Sequence, residues 1–176
     1  PTALFDALEA VLAAGERGLG WREGHCGAVA RQAVEVGARA GLAGVDLHSV
    51  RLVGLLHELG QPTDMHLTLP GLELLADQRG LAAQLHGEPA RLLQEAAVAP
   101  AITEALAALY ERHDGAGVPG ALSGAAIPLM ARVVAVVDAF QELTRNPSCP
   151  SGRFPDAQAA LQQLRGAAAR GLFDSA

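Results

Sequence analysis

Residues 110–140 read YERHDGAGVPGALSGAAIPLMARVVAVVDAF. A glycine-rich loop with one proline runs straight into an apolar helix, and that helix carries a lone acid, Asp138. Pro128 suits the first helical turn, where a missing N–H costs nothing. Val133, Val134, Val136, Val137 and Phe140 surround Asp138 with hydrocarbon. An unpaired buried carboxylate is expensive. Asp138 therefore requires a partner: a metal, an arginine or a set of backbone donors.

The helical period extends outward from this stretch in both directions, and no sustained period-two segment competes with it. Helices are expected over 3–15, with Leu4, Leu8, Val11 and Leu12 on one face, and over 25–40, with His25, Val29, Ala33, Val36 and Ala40 on one face. A third covers 47–59 and carries His57 and Glu58 in its last turn. Residues 60–70 form a loop, shorter helices follow over 71–78, 81–95 and 100–111, and longer ones over 128–144 and 156–170. The class is all-α, a bundle of about seven or eight helices. No internal repeat or domain boundary interrupts it, so residues 1–176 read as one domain, expected to belong to a longer signalling chain.

The composition bounds the function. Half of the 176 residues are hydrophobic, mostly small or aliphatic, which suits closely packed helices. All 13 basic residues are arginine, and net charge is −6. That balance argues against a nucleic-acid surface. The apolar runs are too short to span a membrane, and no signal sequence is legible. Cys26 and Cys149 do not make a disulfide framework and read as free thiols of a cytoplasmic protein.

Several polar residues sit at ends or on apolar faces of these helices. His25 opens the second helix, His57 and Glu58 close the third, His86 lies in QLHGEPARLL, and Asp138 sits in the long apolar helix. Imidazoles and carboxylates on separate helices can converge on one divalent metal, with Fe, Mn, Ni or Zn suiting such a set. His48, His66 and His113 read instead as hydrogen-bonded structural histidines.

The joint pattern resembles the HD superfamily of metal-dependent phosphohydrolases, and within it the HD-GYP branch. HCGAVARQA, from His25, looks like the family's opening histidine segment, and LVGLLHELGQ like the segment bearing its His-Asp pair. His86 falls at a further family histidine. HDGAGVPGALSGAAIP is similar to the Gly-Tyr-Pro loop, with Gly117-Val118-Pro119 at the signature, and ARVVAVVDAF to the last ligand helix. GLFDSA resembles the closing Phe-Asp, at Phe173-Asp174. The resemblance implies an HD-domain helical bundle and, for active members, hydrolysis of cyclic di-GMP at a site of two or three metals. The implied metal residues are His25, His57, Glu58, His86 and Asp138.

The departures from that pattern are chemical. Leu109 and Tyr110 stand where active members carry a His-His pair before Glu111-Arg112. Leucine cannot ligate, and a neutral tyrosine is a poor ligand near neutral pH. Glu58 replaces the aspartate, and its extra methylene displaces a bridging carboxylate. Gln61 replaces a lysine that would face phosphate, Val118 replaces the signature tyrosine, and RNPSCP replaces a segment that grips phosphates with arginines. The expectation is a degenerate, catalytically inactive domain retained as a regulatory or protein-interaction module in bacterial signalling. Its expected partner is another protein, another domain of the same chain or a second copy; cyclic di-GMP would bind weakly. No cofactor is expected, or else a single divalent metal (Fe, Mn, Ni or Zn). Two alternatives remain: a single-metal phosphodiesterase of low activity, and a cyclic di-GMP receptor that does not hydrolyse.

Overall fold

The sequence supplies amphipathic helices with small residues where they meet, and the structure assembles them around a central trio. The computed structural model describes residues 2–62, 65–154 and 156–175. Residues 63–64 of the expected 60–70 loop lie outside that description. Among the described residues every regular element is helical: α1 (Thr2–Gly15), α2 (His25–Arg39), α3 (Val45–Leu56), α4 (Leu69–Leu74), α5 (Ala76–Leu85), α6 (Glu88–Leu92), α7 (Pro100–Ala107), α8 (Leu129–Arg145) and α9 (Ala157–Ala169). Short 3-10 turns occupy Gly20–Arg22 and Gly124–Ala126.

Helices α2, α3 and α8 form the centre, and α2 and α3 share the most extensive contact. A Cβ built on Gly54 would lie 2.7 Å from the Ala30 Cα, so α2 and α3 approach backbone to backbone there. Val29, Ala30, Ala33, Val50, Val53 and Val134 are fully buried around that contact. Burying aliphatic side chains contributes roughly 1.5–3 kcal/mol each before entropic costs. A second apolar cluster, including Leu69, Leu143, Leu164, Leu172 and Phe173, fixes α9 and the C-terminal segment against α8.

Two helical faces differ from expectation. On α1 the buried residue is Phe5, with Leu8 and Leu12 packed beside it, while Leu4 and Val11 point outward. Phe5 stacks on His48 and receives the Arg51 guanidinium over its ring, so the larger aromatic surface decides the rotation of α1. On α2 the buried face runs through His25, Val29, Ala33 and Gly37, and Ala40 is exposed. Helix α8 begins one residue after Pro128, which serves as its N-cap.

The signature loop is held by backbone geometry. A Cβ on Gly117 would come within 2.3 Å of the Arg112 N and 2.6 Å of the Tyr110 O, so only glycine fits. The Val118 N–H donates to the Tyr110 O at 2.8 Å. Farther along the chain, the His113 and Asp114 N–H groups donate to the Leu172 and Gly171 carbonyls, and Asp174 pairs with Arg132. The closing Phe173-Asp174 is thereby tied to the loop.

Candidate functional site

Four segments bring polar groups to one buried point. His25 is the first residue of α2 and is completely buried. His57 caps the C-terminus of α3, with Glu58 next in sequence. His66 enters from the connection between α3 and α4, and Asp138 projects from the middle of α8. The His25 Nε2 lies 2.9 Å from Asp138 Oδ1 and 3.3 Å from the His57 Nε2. The His57 and His66 Nε2 atoms lie 3.5 and 3.2 Å from the same Asp138 oxygen. Three imidazole nitrogens thus surround one carboxylate oxygen. Trp21, in the 3-10 turn, stands edge-on to His25 and His66, with ring centroids 5.2 and 5.0 Å away.

The outer nitrogens of His57 and His66 each carry a proton. The His57 Nδ1 lies 2.7 Å from the Gly54 carbonyl, which only accepts, so Nδ1 carries the proton there. The His66 Nδ1 donates to Glu58 Oε1 at 2.7 Å. The other Glu58 oxygen accepts from Arg22 at 2.8 Å, and Arg22 also donates to the Met65 carbonyl. Both Glu58 oxygens are thereby engaged.

Burial and charge set the protonation. Burial disfavours charge on His66, but the Asp138 and Glu58 carboxylates outweigh it and hold its pKa at about 10. Burial likewise opposes charge on His57, and Asp138 nevertheless raises it. For His25 burial wins and lowers the pKa despite Asp138. Burial pushes the Asp138 and Glu58 carboxyls up, but the histidines around them hold both below the usual range. Burial raises the Cys26 thiol to about 12, so it is not a thiolate, and its amide donates to Glu16.

The expected residues divide accordingly. His25, His57, Glu58 and Asp138 converge. His86 does not join them: it caps α5, its N–H donating to the Ala82 carbonyl, and it belongs to none of the metal-capable groups formed by the described residues. The short helix α6 begins at Glu88, two residues after it. His66, read from sequence as structural, is at the centre instead. Leu109 and Tyr110 both line the small pocket beside His57 and Asp138. The Tyr110 hydroxyl accepts from the Gln61 amide at 2.7 Å, and Gln61 also donates to the His57 carbonyl. The RNPSCP segment borders an open cleft that also includes Trp21, Arg22, His66 and Glu142. Its Arg145 donates to the Glu23 carbonyl.

The donor set fits a divalent ion. With metal–ligand bonds of about 2.0–2.2 Å, neighbouring donors in one site stand about 3–3.5 Å apart, and the nitrogen–oxygen and nitrogen–nitrogen separations above are of that size. His25, His66 and Asp138 form one metal-capable group, and His25, His57 and Glu58 another.

Fold and site together define a class. The HD domain family profile matches residues 4–176, and the chain belongs to that family. It is 37% identical over 98 residues to the 3'3'-cGAMP-specific phosphodiesterase 1 of Vibrio cholerae, an alignment covering 53% of this chain and 22% of that protein. It is 33% identical over 120 residues to the cyclic di-GMP phosphodiesterase response regulator RpfG of Xanthomonas campestris, covering 61% of this chain and 29% of that one. The chain thus spans under a third of the length of either curated relative. The crystal structure of a cyclic GMP-AMP-specific phosphodiesterase of V. cholerae superposes with a TM-score of 0.68 over 97% of this chain and 45% of the other, at 19% identity. That likeness shows the fold. Among the described residues no helix is long and apolar enough to cross a membrane.

Proposed function

We propose that this is a degenerate HD-GYP-type domain that has lost cyclic dinucleotide hydrolysis and acts as a regulatory module in bacterial cytoplasmic signalling. The observation that carries the reading is the state of Glu58. This carboxylate stands where the family's metal-bridging aspartate belongs, and it is committed to His66 on one oxygen and Arg22 on the other. Two further facts support it. Leu109 and Tyr110 occupy space beside His57 and Asp138 where a second metal would need ligands. The guanidinium in the adjoining cleft, Arg22, is tied to Glu58, and the carboxylate of Glu142 also lines that cleft.

Phosphodiester hydrolysis requires an activated water and positive charge on the phosphate. A bound metal would supply the Lewis acidity. The residues that would hold it are His25, His57 and Asp138. Around them the chain offers Gln61 in place of a cation and Tyr110 in place of a ligand. The module's partner is then a protein: another domain of its own chain, a second copy or a separate signalling protein. The convergence of His25, His57 and Asp138 favours one rival, a single-metal phosphodiesterase.

Product analysis tests the reading. The chain is incubated anaerobically with cyclic di-GMP or 3'3'-cGAMP and Fe(II), Mn(II) or Ni(II), then chromatographed for linear dinucleotide. The expected result is no product above background. Product that disappears in His57→Ala and Asp138→Ala would establish the rival. A calorimetric titration with cyclic di-GMP separates a silent receptor from a module that recognises protein alone.

A further inference from the structure

His66 has no counterpart in the residues that the family pattern led us to expect, yet it stands in the middle of the site. Its Nε2 is buried and makes no hydrogen bond, although Asp138 Oδ1 lies 3.2 Å away. The oxygen it faces is the one that the His25 and His57 Nε2 atoms also approach, a spacing that suits ligands around one ion. The His66 Nδ1–H is already used on Glu58. With that bond kept, Nε2 is the nitrogen left to face an ion once its own proton is displaced. His57 repeats the pattern: its Nδ1–H is used on the Gly54 carbonyl, and its Nε2 faces His25 and Asp138.

We propose that His66 is a metal ligand, forming with His25, His57 and Asp138 a closed site of three imidazoles and one carboxylate for a single divalent cation. Glu58, the ligand expected from sequence, becomes the outer partner that orients His66. An imidazole that gives its outer N–H to a carboxylate and its inner nitrogen to the ion is the usual metal-site arrangement, because the outer bond fixes the tautomer and raises basicity. Arg22 completes the exchange of roles by holding the second Glu58 oxygen away from the ion. Four protein ligands saturate a four-coordinate ion and leave no position for water, the arrangement of structural sites rather than catalytic ones. The ligands come from the start of α2, the end of α3, the α3–α4 connection and the middle of α8, so the ion would cross-link the centre of the bundle. Three imidazoles and a carboxylate suit Zn(II), Fe(II), Co(II), Ni(II) or Mn(II).

The inference rests on donor geometry and goes beyond the regulatory reading. Failure to bind metal would overturn it and leave that reading intact, whereas dinucleotide hydrolysis would overturn the regulatory reading. The whole chain, stripped of metal, is titrated with Co(II) and then Zn(II) against a chelating dye, with the visible spectrum and melting temperature followed. The expected result is one Co(II) per chain, the intense visible absorption of a four-coordinate ion, and a rise in melting temperature. His66→Gln is expected to weaken binding by at least about tenfold, Glu58→Gln to weaken it by about tenfold through loss of the orienting bond, and His86→Gln to leave it unchanged. Circular dichroism of each metal-free variant separates lost ligation from lost folding. The wild-type chain gives a check that needs no variant: the 15N resonance of the His66 Nε2 is expected to move on addition of Zn(II). No binding by the wild type, the weak bands of a six-coordinate Co(II), a His66 resonance that stays that of an imidazolium, or unaltered affinity in His66→Gln would each overturn the proposal.

Discussion

Glu111 holds the segment that follows Gly117-Val118-Pro119 with one carboxylate. Its oxygens accept from the backbone N–H groups of Gly120, Ala121 and Leu122 at 3.1, 2.8 and 3.1 Å, and its side chain is buried. Glu111→Gln keeps the shape but replaces one acceptor oxygen by a donor that faces other donors. The expected cost is about 2–4 kcal/mol in chemical denaturation, from charge-assisted bonds lost and N–H groups left unpaired. A loss below about 0.5 kcal/mol, the range of an ordinary surface change, would remove Glu111 from this role. The residue scale is also where the sequence was least complete. Glu111 reads only as a flank of the missing His-His pair. His66 lies in an irregular connection, where no helical period assigns a side chain to a face, and an isolated histidine between Met65 and Leu67 carries no ligand spacing. His86 keeps its place in the order of motifs, yet it belongs to none of the metal-capable groups formed by the described residues. His25, His57, Glu58 and Asp138 were legible because each lies on or at the end of a helix whose apolar face is plain.

At the scale of elements, the contact of α2 with α3 places His25 opposite His57. Gly54 makes it close, since even a methyl group there meets the Ala30 backbone at 2.7 Å. Gly54→Ala is therefore expected to destabilise the chain by about 1–3 kcal/mol through overpacking and to separate the two histidines. Denaturant titration measures the first effect, and weaker Co(II) binding reports the second. Unchanged stability would mean that the helices slide apart at no cost. The long helices were read within a few residues of their ends because their periodicity is strong. The region after residue 68 was not. An expected helix over 71–78 is divided at Leu75, whose extended backbone closes α4 and opens α5. Thr68 starts α4 earlier than expected, its hydroxyl accepting from the Gly71 N–H and donating to Glu142. The expected helix over 81–95 breaks before Pro89, which sits in the first turn of α6. A proline removes the N–H that a continuing helix needs, so Pro89 accounts for the break.

For the molecule as a whole, the bundle and the chemistry have separate supports. The core of α2, α3 and α8 is assembled from apolar faces that owe nothing to catalysis, and the loop of Gly117-Val118-Pro119 is held by Glu111 and by backbone contacts. A domain of the HD family can keep all of this after losing ligands, which is why the fold is readable from the same segments whose departures motivate the proposed loss of hydrolysis. Leu109, Tyr110 and Gln61 affect the pocket beside His57 and Asp138, and Arg22 and His66 occupy Glu58. The account therefore allows one cation and excludes a bridged pair. The most direct measurement is anomalous diffraction from crystals of the chain grown with excess Mn(II), recorded at a wavelength that excites manganese. The predicted result is a single peak among His25, His57, His66 and Asp138, with Glu58 still on Arg22. Two peaks bridged by the Glu58 carboxylate would contradict the account.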